Sequence, residues 1–435
     1  MINVHIGDSV PTVESTVGVL TTYNEILPQF LDLDKILQYV SYIELKLKEC
    51  GGELKEYTGE LYGGQALGPM KNYLVCHNYG QYLKTTDAGG ISLSKDVIAE
   101  ILARNDIPDE LRKALTVYQK YSSLIHMRST LLGKLQFPVS AAPSCDGHRM
   151  LMVRPKWVAQ NTGRIGMQDP AIQNMERELQ DIITVPKGYK LIHTDSGQIE
   201  PRIVYSYYIP DPQIKALINL YNDAYFGLLH YCTMDKSFID SGTLQFKPME
   251  ITDEMKAGRK KIKTYGNAVM YGSTSNITND PIKAAMIQRI GNHPMRQRLV
   301  ADIESKLNSG IRKFPTAFGT PIDISLSKKL SYGSNDLYQY IKLAINNPIQ
   351  GTAADMMRIS VSAANKLLLQ RGQKSAIIGY IHDAGLFAVH EDEYDALASE
   401  LSDIVSYQVD DWITVHAEPE VGRNNGKGGL IEDLY

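Results

Sequence analysis

Between Gly258 and Gly272, the residues Arg259, Lys263, Asn267 and Tyr271 recur at every fourth position. In one α-helix each step of four advances about 400° around the axis, so these side chains form a single, slowly drifting stripe. Two cations, a polar group and an aromatic ring along one rod suit a triphosphate with a base at its far end. The same spacing also describes a solvated basic helix with tyrosines packed beneath it. The stretch therefore has to be read with its surroundings.

The 435 residues give room for roughly two to four packing units. A hydrophobic content of 43% and a charged content of 22% belong to an ordinary soluble globular chain with a sizeable core. A net charge of −4 and a pI near 6.2 do not advertise nucleic-acid binding. Such a function must rest on local basic surface, as at Lys256, Arg259, Lys260, Lys261 and Lys263, which face only Asp253 and Glu254 in sequence. Cys50, Cys76, Cys145 and Cys232 are widely spaced and form no C-x-x-C pair, which argues against a zinc site or a disulfide framework. The N-terminus lacks a basic region followed by an apolar core, and no apolar run approaches about 18 residues. The expectation is a cytoplasmic protein in a reducing compartment, without membrane attachment.

Residues 1–14 read as an irregular arm, and apolar spacing from Tyr23 to Lys48 fits one or two helices better than strands. Ser94 is placed to cap a helix through Leu102, and Pro108 to open one running toward Leu132. After Pro138 short strands are expected at Arg149–Val153 and Tyr189–Thr194. Helical patterning returns from Ile203 to Leu307, broken by the polar stretch Asp235–Lys247. Phe318-Gly319-Thr320-Pro321 has the character of a hairpin turn, and Ala344–Leu369 that of a long helix. Ser375–Ile381 and Leu386–His390 flank His382-Asp383-Ala384-Gly385 as a tight β-hairpin with His-Asp at its turn. A last helix is expected over Glu391–Trp412 and a terminal strand near Ile413–Glu418. The order suggests an α+β chain with a central helical domain inserted into a sheet domain.

Two aspartates fall at strand ends: Asp195 after Lys190-Leu191-Ile192-His193-Thr194, and Asp383 at the hairpin turn. A carboxylate held at the end of a rigid strand suits a hard cation that keeps some of its waters and shares the rest of its shell with phosphates. Two such groups brought together could hold two ions ~4 Å apart for in-line phosphoryl transfer. Taken singly, each is what a lone aspartate after a strand usually is, a helix cap or a turn residue.

The segments Asp195-x-x-Gln198-Ile199-Glu200-x-Arg202-Ile203, Arg259 through Tyr271-Gly272, and Ile381-His382-Asp383 resemble motifs A, B and C of family A DNA polymerases, in order and rough spacing. Thr162-Gly163-Arg164 with Asp169-Pro170 and Gln173-Asn174, and Ile345 through Asp355, agree with that resemblance, as does Leu124-x-x-Met127-Arg128 in the helical arm. The resemblance runs from about residue 20 to about 425. It implies a right-hand fold, with the arm and thumb in 1–136, the palm in 137–205 and 342–435, and the fingers in 206–341. It further implies that Asp195, Asp383 and the backbone carbonyl of Ser196 hold two Mg²⁺ ions, for which Mn²⁺ can substitute. Arg259 and Lys263 would grip the incoming triphosphate, with Lys263 protonating the leaving group. Tyr271 would close the nascent pair, and Asn267, Gln198 and Tyr225 would line the nucleotide. Glu200 would crowd the sugar 2′ position. Arg164, Asn346 and Gln350, with Lys342 and His382, would face the primer-template, and Arg128 would touch backbone phosphates. Glu200 beside Pro201 also fits a first helical turn, and Arg128 a solvated helix cation.

Several positions depart from the family pattern. Asn267 stands where an aromatic ring is usual, Ala384 where a glutamate follows the motif C aspartate, Lys342 where an arginine is usual, and Tyr225 where a histidine often touches the phosphates. These changes read as tuning toward an unusual nucleotide or template. The implied activity is DNA-templated extension of a primer 3′ end with deoxynucleoside triphosphates. No Asp-x-Glu with partner aspartates for an exonuclease precedes motif A, so a compact monomeric polymerase without proofreading is expected, of a kind suited to a phage. A processivity or replisome factor is a further partner to look for. The rivals are a single-subunit RNA polymerase-like enzyme and a catalytically silent primer-template-binding protein.

Overall fold

The computed structural model describes residues 2–4, 8–59, 61, 66–83, 91–104, 106–270, 280–326, 337–371, 374–381, 384–409, 413–415, 417 and 419–421. They divide into two compact units. One takes the described residues of Met1–Gln29, Arg154–Gln173 and Gly188–Asn425, and the other those of Phe30–Val153 and Asn174–Lys187. The boundary at Gln29 falls inside the segment expected to form the arm and thumb. Among the described residues, no helix is long and apolar enough to cross a membrane.

At the centre of the first unit is a four-stranded antiparallel sheet, ordered Ala376–Ile381, Ala384–His390, Tyr189–Asp195, Pro419–Val421. Ala376–Ile381 is buried at every residue, and Ala384–His390 at all but its last. Strands covered on both faces lose polar–apolar alternation and read as apolar runs. Each Ile, Leu or Val fully buried there contributes on the order of 1.5–3 kcal/mol. The helices Val13–Ile26, Leu337–Gln370 and Tyr394–Val405 pack on this sheet. Gly379 is closely approached by side chains: a Cβ there would stand 2.8 Å from the amide nitrogen of Gln29 and 3.0 Å from Met167, so these two tips would have to shift. The Gln29 amide donates to the carbonyl of Ile378.

In the same unit, helices Pro212–Tyr221 and Ala224–Thr233 lie against each other. A Cβ on Gly227 would meet the backbone nitrogen of Ile218 at 2.7 Å, so the contact between these helices is backbone against backbone. Asp253–Met270 packs on Ala224–Thr233 and is the cationic helix expected from the sequence. It buries Ile262, Val269 and Met270 and leaves Lys256, Lys260, Lys261 and Lys263 exposed.

The second unit is built on the long helices Leu33–Thr58 and Asp109–Leu132, which bury Tyr39, Ile43, Leu47 and Leu54 and Leu111, Leu115, Tyr118 and Leu131. Asp32 caps the first by accepting from the N–H of Lys35 at 2.9 Å. Tyr39 donates to the buried Asp181 at 2.5 Å.

The architecture is α+β, as expected. The hairpins Lys313–Pro315/Pro321–Asp323 and Ala376–Ile381/Ala384–His390 form where the turn residues placed them. Three expectations are corrected. Residues 2–4 are a strand paired in parallel with Tyr407–Val409, and a helix capped by Thr12 begins at Val13, so the segment expected to be irregular holds a strand and the start of a helix, with residues 8–12 irregular between the described elements. The stretch 23–48 is interrupted by the strand Gln29–Asp32, buried at all four positions. Continuous burial erased its alternation, and only Pro28 before it marks the break. The last helix is Tyr394–Val405, ending before the strand Tyr407–Val409, where the aromatic and β-branched residues prefer extended backbone.

Candidate active site

The strand Tyr189–Asp195 carries Asp195, exposed, to the end of the sheet, in register with Ala384 on the neighbouring strand. Directly opposed residues hold their Cβ atoms about 4.5–5.5 Å apart, so a small side chain stands beside this carboxylate. Burial lowers the pKa of His193, against the opposing pull of the Asp195 charge, and favours a neutral imidazole behind the strand end. Ser196 is buried and its hydroxyl donates to the carbonyl of Val405 at 2.9 Å. Asp383, His382 and Tyr271 lie outside the described residues, as does the side chain of Asn267. Among the described residues, no cluster of three or more His, Cys, Asp or Glu side chains could hold a metal.

After Asp195 the chain turns through Gln198, whose φ of 57° lies in the left-handed region. For a residue with a Cβ that conformation costs on the order of 1–3 kcal/mol and needs support. Its side chain supplies some, accepting from the N–H of Ala224 at 2.6 Å and donating to Asp223 Oδ2 at 2.7 Å. Asp223 is the cap of Ala224–Thr233, with Oδ1 accepting from the N–H of Phe226 at 2.8 Å. Its Oδ2 also accepts from Arg259 Nε at 3.0 Å and Nη2 at 2.7 Å. Burial pushes the Asp223 carboxyl up. Hydrogen bonds from Arg259, the Phe226 N–H and Gln198 outweigh it and hold the group below the usual carboxylate range. The Arg259 guanidinium lies over the rings of Tyr225 at 5.4 Å and Phe226 at 5.3 Å. Tyr225 is buried, so its ring supports the arginine from beneath.

Arg202 fixes the same corner from inside. It is buried and donates to the carbonyls of Gly197 at 3.1 Å, Thr414 at 2.8 Å and Asn222 at 2.9 Å, and to the Asn222 side chain at 3.0 Å. Burial lowers its pKa against the charge of Asp223. Glu200 accepts from Arg164, which follows Gly163 at the turn between Lys156–Ala159 and Ile165–Gln168. Gln173 ties that hairpin to the central sheet: its amide accepts from the N–H of Met167 at 3.0 Å and donates to the Tyr380 carbonyl at 2.6 Å.

On Leu337–Gln370, Lys342, Asn346 and Gln350 fall at successive steps of four and share one side of the helix. The Lys342 ammonium sits 4.2 Å from the Tyr338 ring centre. Asn346 Oδ1 is buried and has no hydrogen-bond partner among the described residues.

Of the residues singled out from the sequence, Gln198, Tyr225 and Arg259 thus meet around one carboxylate, with Asp195 and Ser196 at the start of the same turn. Glu200 pairs with Arg164, and Lys263 is exposed one turn beyond Arg259. Arg128 belongs to the second unit, where it pairs with Glu44 at 3.3 Å. Sequence reasoning passed over Asp223 and Arg202 as site residues. The only local signal for Asp223 is an acid ahead of an apolar helix, which announces a cap and nothing more.

The fold matches the solved POL domain of Pol1 from M. smegmatis, a complex with DNA primer-template and dNTP. The match has a TM-score of 0.73 at 20% identity and covers 95% of this chain and 70% of that one. The class is therefore that of a polymerase-domain fold. Residues 318–427 match the sequence model of DNA polymerase family A. The chain is 23% identical to a DNA polymerase I of Chloroflexus aurantiacus, over 88% of this chain and 38% of the relative. It is 24% identical to that of Pseudomonas aeruginosa, over 79% and 36% respectively. The chain spans less than half the length of these relatives.

Proposed function

We propose that this chain is a DNA-templated DNA polymerase that extends a primer 3′ end with deoxynucleoside triphosphates. The observation that carries the reading is the convergence of Gln198, three residues beyond Asp195, and Arg259 on one oxygen of Asp223. It ties the strand-end carboxylate to the cationic helix within one compact unit. A nucleotide whose phosphates meet Arg259 and Lys263 then lies near Asp195. Palm and fingers would lie in this unit, and the thumb in the unit that begins at Phe30.

The exposed carboxylate of Asp195 offers acceptor oxygens alone, which fits a hard divalent cation. The Ser196 hydroxyl is engaged by Val405, so its backbone carbonyl is the group left for a cation. Asp383 is peptide-bonded to Ala384, the residue in register with Asp195, and would complete the donor set for two Mg²⁺ ions, or Mn²⁺ in their place. Bound there, the ions would acidify the primer 3′-hydroxyl and offset charge on the pyrophosphate. Lys263 would supply a proton to the leaving group. Glu200, held by Arg164, would stand against a ribose 2′-hydroxyl. Asn267 and Tyr271, further along the cationic helix, would face sugar and base. The buried Asn346 oxygen would accept from a base edge in the minor groove, where guanine presents its only donor. Gln350, Lys342 and His382 would flank it, and Arg128 would contact phosphates. The place of action in this reading is the cytoplasm of a bacterial or phage-infected cell.

Primer extension tests it. Asp195→Asn and Asp383→Asn should each abolish incorporation while primer-template binding persists. Full activity in both variants would remove the metal assignment. Equal use of ribonucleotides would favour an RNA polymerase-like enzyme, and tight primer-template binding without incorporation under any metal would favour a silent binder.

A further inference from the structure

We infer that Asp223 is a positioning residue for the incoming nucleotide, acting through Arg259 by fixing which edge of the guanidinium faces the phosphates. This rests on the polymerase reading above. A guanidinium carries five N–H groups in a rigid fork. Nε and Nη2 of Arg259 each direct one at Asp223 Oδ2, at 3.0 and 2.7 Å. The two on Nη1 and the second on Nη2 remain for an anion. The plane is held from below by Tyr225 and Phe226, and the side chain stays 31% exposed. The arginine is thus aimed before any ligand arrives, which lowers the ordering cost of binding.

A carboxylate beside an anion site carries an obvious objection, repulsion. Here the negative charge is spread over donors from every side: two N–H groups of Arg259, the amide of Gln198 and the N–H of Phe226. It also sits at the start of Ala224–Thr233, where the helix presents about half a positive charge. The sum of carboxylate, guanidinium and helix end remains positive, so orientation outweighs repulsion. Gln198 shares the same oxygen, so the aim of Arg259 is referenced to the turn that follows Asp195.

The test is steady-state incorporation of a single nucleotide on a primer-template. The variants are Asp223→Asn, Asp223→Ser, Arg259→Lys and the Asp223→Asn/Arg259→Lys pair, with melting curves to show that each is folded. Asn and Ser both remain good helix caps, so the helix start survives while the anchor for Arg259 is lost. The expected result is a KM for nucleotide raised about tenfold (~1.4 kcal/mol of binding) with kcat changed less than threefold. Arg259→Lys, which lacks the fork, should raise KM similarly, and Asp223→Asn should add little in that background. An unchanged or lowered KM in both folded Asp223 variants overturns the inference, as does a multiplicative effect in the double variant. Wild-type protein that fails to incorporate at all defeats the polymerase reading instead, so the two failures are distinct.

Discussion

Asp223 shows how much can hang on one side chain whose local role looks ordinary. Its carboxyl is held below the usual range because its hydrogen bonds outweigh its burial. A carboxyl depressed in the folded state contributes stability above its unfolded pKa, near 3.9, and loses it as pH falls through the folded value. The stability difference between wild type and Asp223→Asn should therefore be complete at pH 6, shrink below about pH 4 and vanish in stronger acid. Urea unfolding across that range measures it, and a pH-independent difference would show that the Asp223 charge plays no part.

At the scale of elements, the close contact between Pro212–Tyr221 and Ala224–Thr233 holds Asp223 in place. A methyl at Gly227 would press on the backbone of Leu217 and Ile218, which cannot step aside as a side-chain tip would. Gly227→Ala should cost about 1–3 kcal/mol, read as a lower Tm. Because Asp223 caps the displaced helix, nucleotide KM should rise as well; a variant as stable as wild type would show that the helices can separate freely.

The elements also show what was legible in the sequence. The cationic helix, the long helix expected over Ala344–Leu369 and observed over Leu337–Gln370, and the hairpins announced themselves through period and turn chemistry, which are local. The strand Gln29–Asp32 did not, because burial on both faces removes the alternation that marks a strand. The pairing of Arg259 with Asp223 bridges 36 residues, and the Arg202 bonds to Thr414 bridge 212. No spacing rule reports such meetings. Gln198 was singled out from its motif, but its left-handed backbone and its role as a tie to Asp223 emerge only in three dimensions.

For the molecule as a whole, charge is distributed in patches. The chain is net negative, yet exposed lysines crowd the helix Asp253–Met270 in one unit and Arg128 stands on a long helix of the other. The proposed binding to primer-template should accordingly weaken steeply with added salt, because phosphate neutralisation releases counterions. Replacing Arg128 by alanine should flatten the plot of log affinity against log salt by about one unit if it meets a phosphate. Affinity measured at several salt concentrations decides, and an unaltered slope would return Arg128 to its pairing with Glu44.

The strand that ends in Asp195 is an interior strand. Over Ile192, His193 and Thr194 it has a hydrogen-bonded neighbour on both sides, Ala384–His390 and Pro419–Val421. Sheets fray from their margins inward, and regions with dense buried contacts open last. The carboxylate on which the proposed chemistry turns is thus mounted on backbone that local unfolding reaches late, while Lys263 stands exposed on a helix surface one turn beyond Arg259.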